Sequence, residues 1–456
     1  MSKRHELATV KTEETARGMN PLEFAMIPNK SIDLDTGLLR DDDGCWTNWE
    51  PVHVGAGSSV SCPREGFRYR VALYRGEYDE SLAHEYCYDA ESNWTRLYNA
   101  TDPGEWLTGP YAFSEECFVR ITVRHCDGLH DNHSYTLGDM VDLDYVDPRV
   151  LPTPDWARKE IDRVVKGVDS FRDPDDLVLV ALSDIHYSTG CIWPQTARNL
   201  SAVVAQVHPD AIVQLGDVSD GMTPIEVTQS FVTRVLGDLQ RNGVPVYSCV
   251  GNHDTNYFGN NAHRLAKAEC ARLYLGRDVP WYFVDFASAR VRLLFLDSFE
   301  QTRKQRYGFS WRQLLWVRST LRETPPDWKI VAFSHVPPCA EIHYWSDTIL
   351  NGPRMMGILE SRNRRHPGSV MAFVHGHSHV DQVYRKHSFP IVSIGCAKFE
   401  DFEECKPGGS TTPKRQIDTV SQDLWDVIVV KARNGKLHMV RFGAGEDREV
   451  TSYDPS

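Results

Sequence analysis

From residue 177 onward the chain repeats one unit: a short apolar run, a tight cluster of Gly, Asp, Asn or His, then a helix-like stretch. This order constrains the fold more than any other feature. Residues 177–182 and 211–215 are continuous apolar runs of buried-strand length, and 244–250 reads as the next strand. Residues 194–207 read as a helix with proline in its first turn, and 224–241 as another, closed by Asn242-Gly243. Strands alternating with helices predict an α/β architecture. In such sheets ligands bind beyond the carboxyl ends of the strands, so the residues just after each strand matter as much as the strand itself.

Five clusters occupy those positions: Ser183-Asp184-Ile185-His186, Gly216-Asp217-Val218-Ser219-Asp220, Gly251-Asn252-His253-Asp254, Ser334-His335-Val336-Pro337-Pro338 and His375-Gly376-His377-Ser378-His379. Asp184 and His186 stand two apart, as do His377 and His379. On an extended backbone each pair shares a face and can grip one ion. Carboxylates mixed with imidazoles suit manganese, iron, zinc or nickel better than calcium, and no cysteine joins the set. Gly216, Gly251 and Gly376 allow tight turns and close backbone approach. Asp254 is expected to fix a turn through side-chain to backbone bonds, and His375 to pack or to support the neighbouring ligands from behind.

The ordered pattern D-x-H, G-D-x-x-D, G-N-H-D, H, G-H-x-H resembles the calcineurin-like metallophosphoesterase superfamily, over residues 173–445. The resemblance implies an αββα sandwich, two mixed sheets flanked by helices, holding two divalent transition-metal ions (Mn, Fe, Zn or Ni). Carried over position by position, Asp184, His186, Asp217 and His379 would bind the first ion, and Asp217, Asn252, His335 and His377 the second, with Asp217 bridging. The implied reaction is hydrolysis of a phosphomonoester or phosphodiester by a metal-bridging hydroxide. His253 would face the substrate, with the Asp220 carboxylate orienting it. Tyr187, Asn256, Tyr257 and Tyr307 follow or face the motifs and are candidate substrate contacts. Residues 281–298 and 311–321 resemble the strand pair and helix between the third and fourth motifs, and 440–445 the closing strand of bacterial and phage-associated members.

The front of the chain differs. Residues 1–30 read as a polar arm, 31–147 as a small antiparallel β-sandwich, 148–172 as a proline-containing linker and helix, 173–447 as the catalytic domain and 448–456 as a tail. Residues 67–74 and 117–123 alternate as half-buried strands do. The clusters Gly55–Ser59 and Asp102-Pro103-Gly104 read as turns, and Asp41-Asp42-Asp43 as a solvated acidic turn. The net charge of −13 sits wholly in residues 1–170, with 18 Lys+Arg against 31 Asp+Glu, whereas the remainder holds 32 of each. No basic stripe suited to displacing counterions is present, which disfavours a polymeric nucleic acid partner. The start lacks the apolar core of a secretory signal and no run is long enough to span a membrane, so a cytoplasmic protein is the expectation. Eleven cysteines without CxxC pairs read as reduced thiols. A phosphate-ester small molecule or an envelope-derived substrate is the expected partner. The alternative reading is an envelope- or phage-associated adhesion protein, whose front domain contacts glycan or protein through Trp46, Trp49, Trp94 or Trp106.

Overall fold

The computed structural model describes residues 24–33, 39–49, 51–75, 100–103, 105–128, 133, 135–144, 153–187, 191–256, 264–300, 306–343, 347–400, 409–411 and 414–452. Two compact units separate: Met1–Arg75 with Ala100–Pro152, and Thr153–Ser456 with Gly76–Asn99. Tyr257, Trp94 and most of the polar arm and linker lie outside the described residues.

The first unit is built from β1 (Ala25–Ile32), β2 (Leu39–Asn48), β3 (Val52–Val54), β4 (Ser59–Ser61), β5 (Phe67–Arg75), β6 (Ala100–Pro103), β7 (Tyr111–Ala112), β8 (Cys117–His125), β9 (Tyr135–Thr136) and β10 (Asp142–Asp144). One antiparallel sheet runs β6-β5-β8-β2-β1-β9, with β3 also on β8, and a smaller one runs β10-β4-β7. The one-turn helix α1 (Leu137–Met140) is closed by a reciprocal Thr136/Asp139 cap. Val71, Val119, Ile121 and Val123 are buried, but so are Arg70, Ala72, Arg120 and Thr122 on the opposite face, so these strands are not half-buried as the alternation predicts.

Several expectations for this unit need correction. Strand β1 crosses the boundary drawn at residue 31. Asp41–Asp43 lie inside β2 rather than in a turn, with Asp41 2.8 Å from Lys30 Nζ. Asp102-Pro103 end the edge strand β6, where proline's missing N–H costs no ladder bond. Trp46 is buried against Phe67 and Tyr135, and the guanidinium groups of Arg68, Arg70 and Arg124 lie 5.1, 5.2 and 5.4 Å from the Trp106 ring. The buried Trp46 ring is thus no open stacking platform for a sugar, while Trp106 is half-buried beside these arginines.

The second unit holds two mixed six-stranded sheets. In the first, β11 (Leu177–Leu182), β12 (Ala211–Gln214) and β13 (Val246–Ser248) run parallel, and β20 (Leu424–Lys431), β21 (Lys436–Gly443) and β22 (Arg448–Thr451) extend it antiparallel from β11. The second sheet runs β14 (Tyr282–Phe286), β15 (Val291–Leu296), β16 (Lys329–Ser334), β17 (Val370–His375), β19 (Ile391–Ile394) and β18 (Asp381–Tyr384). Strands β15, β16, β17 and β19 are parallel.

The core between the sheets joins Leu179, Ala181, Val213 and Ile428 of the first to Phe295, Phe333, Val374 and Val392 of the second. The alternate residues Val178, Val180 and Leu182 are equally buried on the other face, which is why β11 reads as an unbroken apolar run. Helices α2 (Asp155–Phe171), α3 (Trp193–Val207), α4 (Ile225–Gln240) and α5 (Lys267–Leu275) precede or follow first-sheet strands, while α6 (Trp311–Glu323) and α7 (Gly352–Arg365) bury Leu314, Val317, Met355 and Leu359 against Leu294, Ile330 and Phe373. The arrangement is the expected mixed α/β sandwich.

Its boundaries differ from those read in the sequence. Helix α2 is a layer of this unit, not a linker: its Glu160 accepts a 3.1 Å bond from Gly443 N, and Arg163 lies 3.1 Å from Asp447. Strand β22 pairs with β21 through residues the sequence leaves to a tail. Buried Arg441, Asp381 and Asp426 with half-buried Arg448 form a quartet that ties sheet to sheet, with Arg441 Nη1 2.7 Å from Asp381 on β18, Arg441 Nε 3.0 Å from Asp426 on β20, and Arg448 bonded to both acids. No helix among the described residues is long and apolar enough to cross a membrane.

Candidate metal centre

All five motif segments follow the carboxyl ends of parallel strands and meet on one edge of the sandwich. Asp184 and His186 follow β11, Asp217 follows β12, and Asn252 and His253 follow β13. His335 follows β16, and His377 and His379 follow β17. The site therefore draws on both sheets.

The local backbone is not the extended one expected from the D-x-H and H-x-H spacing. Asp184, His186, Asp217, His377 and His379 have φ of 54°, 45°, 54°, 65° and 53°, the left-handed region that non-glycine residues occupy at a cost. Bonds from Asp184 N to Gly216 O (3.1 Å), His186 N to Asp217 O (3.0 Å) and Tyr187 N to Val218 O (2.8 Å) hold these turns. Asp254 contributes more than one turn. Its carboxylate accepts from Asp217 N at 2.9 Å, Val218 N at 2.7 Å and Gly251 N at 2.8 Å, locking the second cluster onto the third. Gly251 and Gly376 are needed for side-chain clearance: an added Cβ would lie 2.1 Å from Asp217 Oδ1 at the first, and 1.8 Å from Ser183 Oγ at the second.

Two sets of donor atoms converge, Asp184–His186–His379 and Asp217–His335–His377, each with its atoms within 4.8 Å of one another. In the first, His379 Nε2 lies 3.2 Å from His186 Nε2 and 3.3 Å from Asp184 Oδ1. In the second, His335 Nε2 lies 3.0 Å from both Asp217 Oδ2 and Asn252 Oδ1, and 3.2 Å from His377 Nδ1. Asp217 Oδ2 is also 3.6 Å from His186 Nε2, between the two sets.

Hydrogen bonds behind these rings select which nitrogen faces inward. His335 Nδ1 donates to Leu215 O at 3.0 Å, and His379 Nδ1 donates to Glu400 at 2.6 Å, so Nε2 points into the cluster in both. Burial pushes His186 and His377 well below the usual imidazole range, leaving their lone pairs available. Burial also acts on His335, but Asp217 and Asp184 overcome it and hold the ring at about 9. At this point the buried carboxylates demand positive charge, which a cation in place of that proton would supply. Carboxylate, amide oxygen and imidazole donors of this kind fit divalent transition metals.

His253 belongs to the same cluster, its ring 4.5 Å from that of His186. Its Nδ1 meets the backbone carbonyl of Asp220, not the carboxylate. The Asp220 carboxylate instead accepts from Met222 N at 3.0 Å, and burial raises its pKa to about 6. The expectation that this carboxylate orients His253 is corrected: the main chain does so.

Of the substrate candidates among the described residues, only Tyr307 reaches the site, with its ring 4.9 Å from His377. Tyr187 packs on Phe231 at 4.8 Å, with Arg234 donating to its hydroxyl, and so belongs to the α4 interface. Asn256 is buried between Thr228 and the carbonyl of Thr223, bracing a loop. His375 is buried, with Nδ1 on the Gly376 carbonyl, a packing position.

Three residues escaped the sequence reading. Glu400 supports His379; His343 stacks on His377 at 4.8 Å; and half-buried Lys398, whose N–H donates to Asp184 O at 2.9 Å, bears with its charge on His186 and Asp220. They follow no periodic pattern. The run Gly395-Cys396-Ala397-Lys398-Phe399-Glu400 after an apolar strand was the one available signal.

Residues 177–381 match the family model described as calcineurin-like phosphoesterase. Solved structures with similarity include a dimetal phosphatase from Danio rerio (19% identity, 61% of this chain and 100% of that one, TM-score 0.44). A phosphopantetheinyl hydrolase from Mycobacterium tuberculosis is also similar (12%, 49% and 91%, 0.33), as is vacuolar protein sorting 29 from Cryptosporidium parvum (13%, 60% and 98%, 0.30). No curated protein matches the sequence.

Proposed function

We propose that the second unit hydrolyses a phosphomonoester or phosphodiester at a dinuclear metal centre. The observation that carries this reading is the pair of donor sets with Asp217 Oδ2 between them. Asp184, His186 and His379 would hold one ion, Asn252, His335 and His377 the other, and Asp217 both. Bound there, two divalent cations supply a water of lowered pKa and charge for the phosphoryl oxygens.

The chain's own residues do the rest. His253, held at Nδ1 by the Asp220 carbonyl, presents its other nitrogen inward. Burial keeps that ring below the usual imidazole range, although Asp217 draws a proton toward it. An incoming phosphate anion strengthens that draw, so the ring takes up a proton from solvent at Nε2 and delivers it to the leaving oxygen. Lys398 offers a cation to a phosphate oxygen, and Tyr307 with His343 walls the other side against His377.

The test is turnover of an aryl phosphate and of a bis-aryl phosphodiester by metal-reconstituted protein, with Asp217→Asn and His253→Ala alongside. Loss in both variants, and on chelation, is the expected result. Wild-type turnover in the variants would defeat the assignment. Manganese, iron, zinc and nickel all suit the donors, so the same assay run metal by metal identifies the effective ion.

A further inference from the structure

Cys339, Glu341 and His387 form a cluster outside the centre described above, each offering one ligand atom within 4.8 Å of the others. Cys339 follows the fourth motif at the end of a loop from β16, Glu341 lies in the short helical turn Ala340–Ile342, and His387 lies between β18 and β19. We propose that these three side chains bind a further divalent cation, zinc by their chemistry, independently of the dinuclear centre.

Three observations carry it. The first is an edge length. Cys339 Sγ and His387 Nε2 are 3.5 Å apart. Zinc–sulfur and zinc–nitrogen bonds of about 2.3 and 2.0–2.1 Å at a tetrahedral angle put the two donors about 3.5 Å apart.

The second is support behind the donors. Glu360 lies 3.4 Å from His387 Nδ1, on the ring nitrogen away from Cys339, where an outer carboxylate orients a liganding imidazole. The hydroxyl of Tyr384 donates to Glu341 Oε1 at 2.9 Å and helps hold that carboxylate in place.

The third is the contrast in exposure. Cys339 is buried while Glu341 is exposed, so an ion entering from solvent meets the carboxylate and the imidazole first and the thiol last. Burial, together with Glu341 and Glu360, keeps the thiol protonated up to about 12 without an ion; binding exchanges that proton for the cation, and the proton leaves to solvent. Thiolate, imidazole and one carboxylate leave the fourth tetrahedral position to water.

The site has a consequence for its neighbour. His343 lies four residues beyond Cys339 and stacks on His377, so an ion joining Cys339 to His387 would pin the segment that carries His343.

Cobalt separates this site from the dinuclear one, because a thiolate ligand gives a near-ultraviolet charge-transfer band that nitrogen and oxygen ligands lack. Full-length apo protein is titrated with Co(II), and bound zinc is counted in protein grown with zinc. The band is expected in the wild type, absent in Cys339→Ser and weakened in His387→Gln, with about one zinc equivalent lost per chain in Cys339→Ser. It is expected to persist in Asp217→Asn, whose failure to turn over substrate reports on the other centre, and in Cys396→Ser, whose thiol lies beside His379 and Glu400. No band in the wild type, a band that survives Cys339→Ser, or one lost in Cys396→Ser overturns the proposal.

Discussion

Glu400→Gln isolates what the carboxylate behind His379 does. The bond from His379 Nδ1 to Glu400 Oε2 is 2.6 Å and the carboxylate is buried, so it is short and charge-assisted. Together with Asp184, Glu400 overcomes burial and holds the imidazole well above its usual range, which measures how strongly negative charge favours a cation on that ring. Loss of such a support costs about 10–100-fold in metal affinity, or roughly 1.4–2.7 kcal/mol. Glutamine keeps an acceptor oxygen and loses only the charge, so the lower end applies to Glu400→Gln and the upper end to Glu400→Ala. Because His379 belongs to only one donor set, a competitive chelator titration in the Cys339→Ser background should show one of the two equivalents of the dinuclear centre weakened and the other unchanged. Equal weakening of both, or of neither, would refute the assignment of His379 and Glu400 to a single ion.

Asp220→Asn should leave turnover within about threefold of wild type, because His253 is held by the backbone carbonyl, while His253→Ala should cost about 10²–10⁴-fold. The same variant tests linkage. The buried carboxyl keeps its proton to about pH 6, whereas the unfolded chain releases it near 3.8, so native protein binds more protons in that window and loses stability as pH rises through it. Its share of the drop is roughly 2–3 kcal/mol between pH 4 and 7, so the pH 4 to 7 change should shrink by that amount in Asp220→Asn, read by urea unfolding at both pH values. Gly376→Ala sets a Cβ 1.8 Å from Ser183 Oγ and 2.4 Å from Asp184 Oδ2, and should abolish binding of the Asp184 ion by elemental analysis while far-ultraviolet dichroism stays native. Arg441→Met leaves Asp381 and Asp426 with Arg448 as the one remaining cation of the quartet and should cost about 3–5 kcal/mol in denaturant unfolding.

The strand ends were legible because buried strands and catalytic clusters both leave local marks. Residues 177–182 are apolar on both faces, and every motif comes directly after its strand. The backbone at Asp184 and His186 was not legible: two-residue spacing suggests an extended chain, and only long-range bonds to Gly216 and Asp217 impose the left-handed turns. Asp220 misled for a related reason, since a sequence names side chains while here the main chain makes the contact. Tyr187 and Asn256 stand next to motif residues but point into α4 and a buried loop, because adjacency in sequence does not set direction. Helix α2 looked like a spacer since its partners, Arg441, Gly443 and Asp447, lie nearly three hundred residues away.

The donor atoms come from two separate sheets, Asp184, His186, Asp217 and Asn252 from one and His335, His377 and His379 from the other. Any ion seated among them acts as a rivet through the sandwich. Its departure would free the halves to breathe at that edge, while the arginine–aspartate quartet keeps them hinged elsewhere. Cations would thus govern the stiffness of the fold as well as its reactivity, and thermal melting should track metal occupancy.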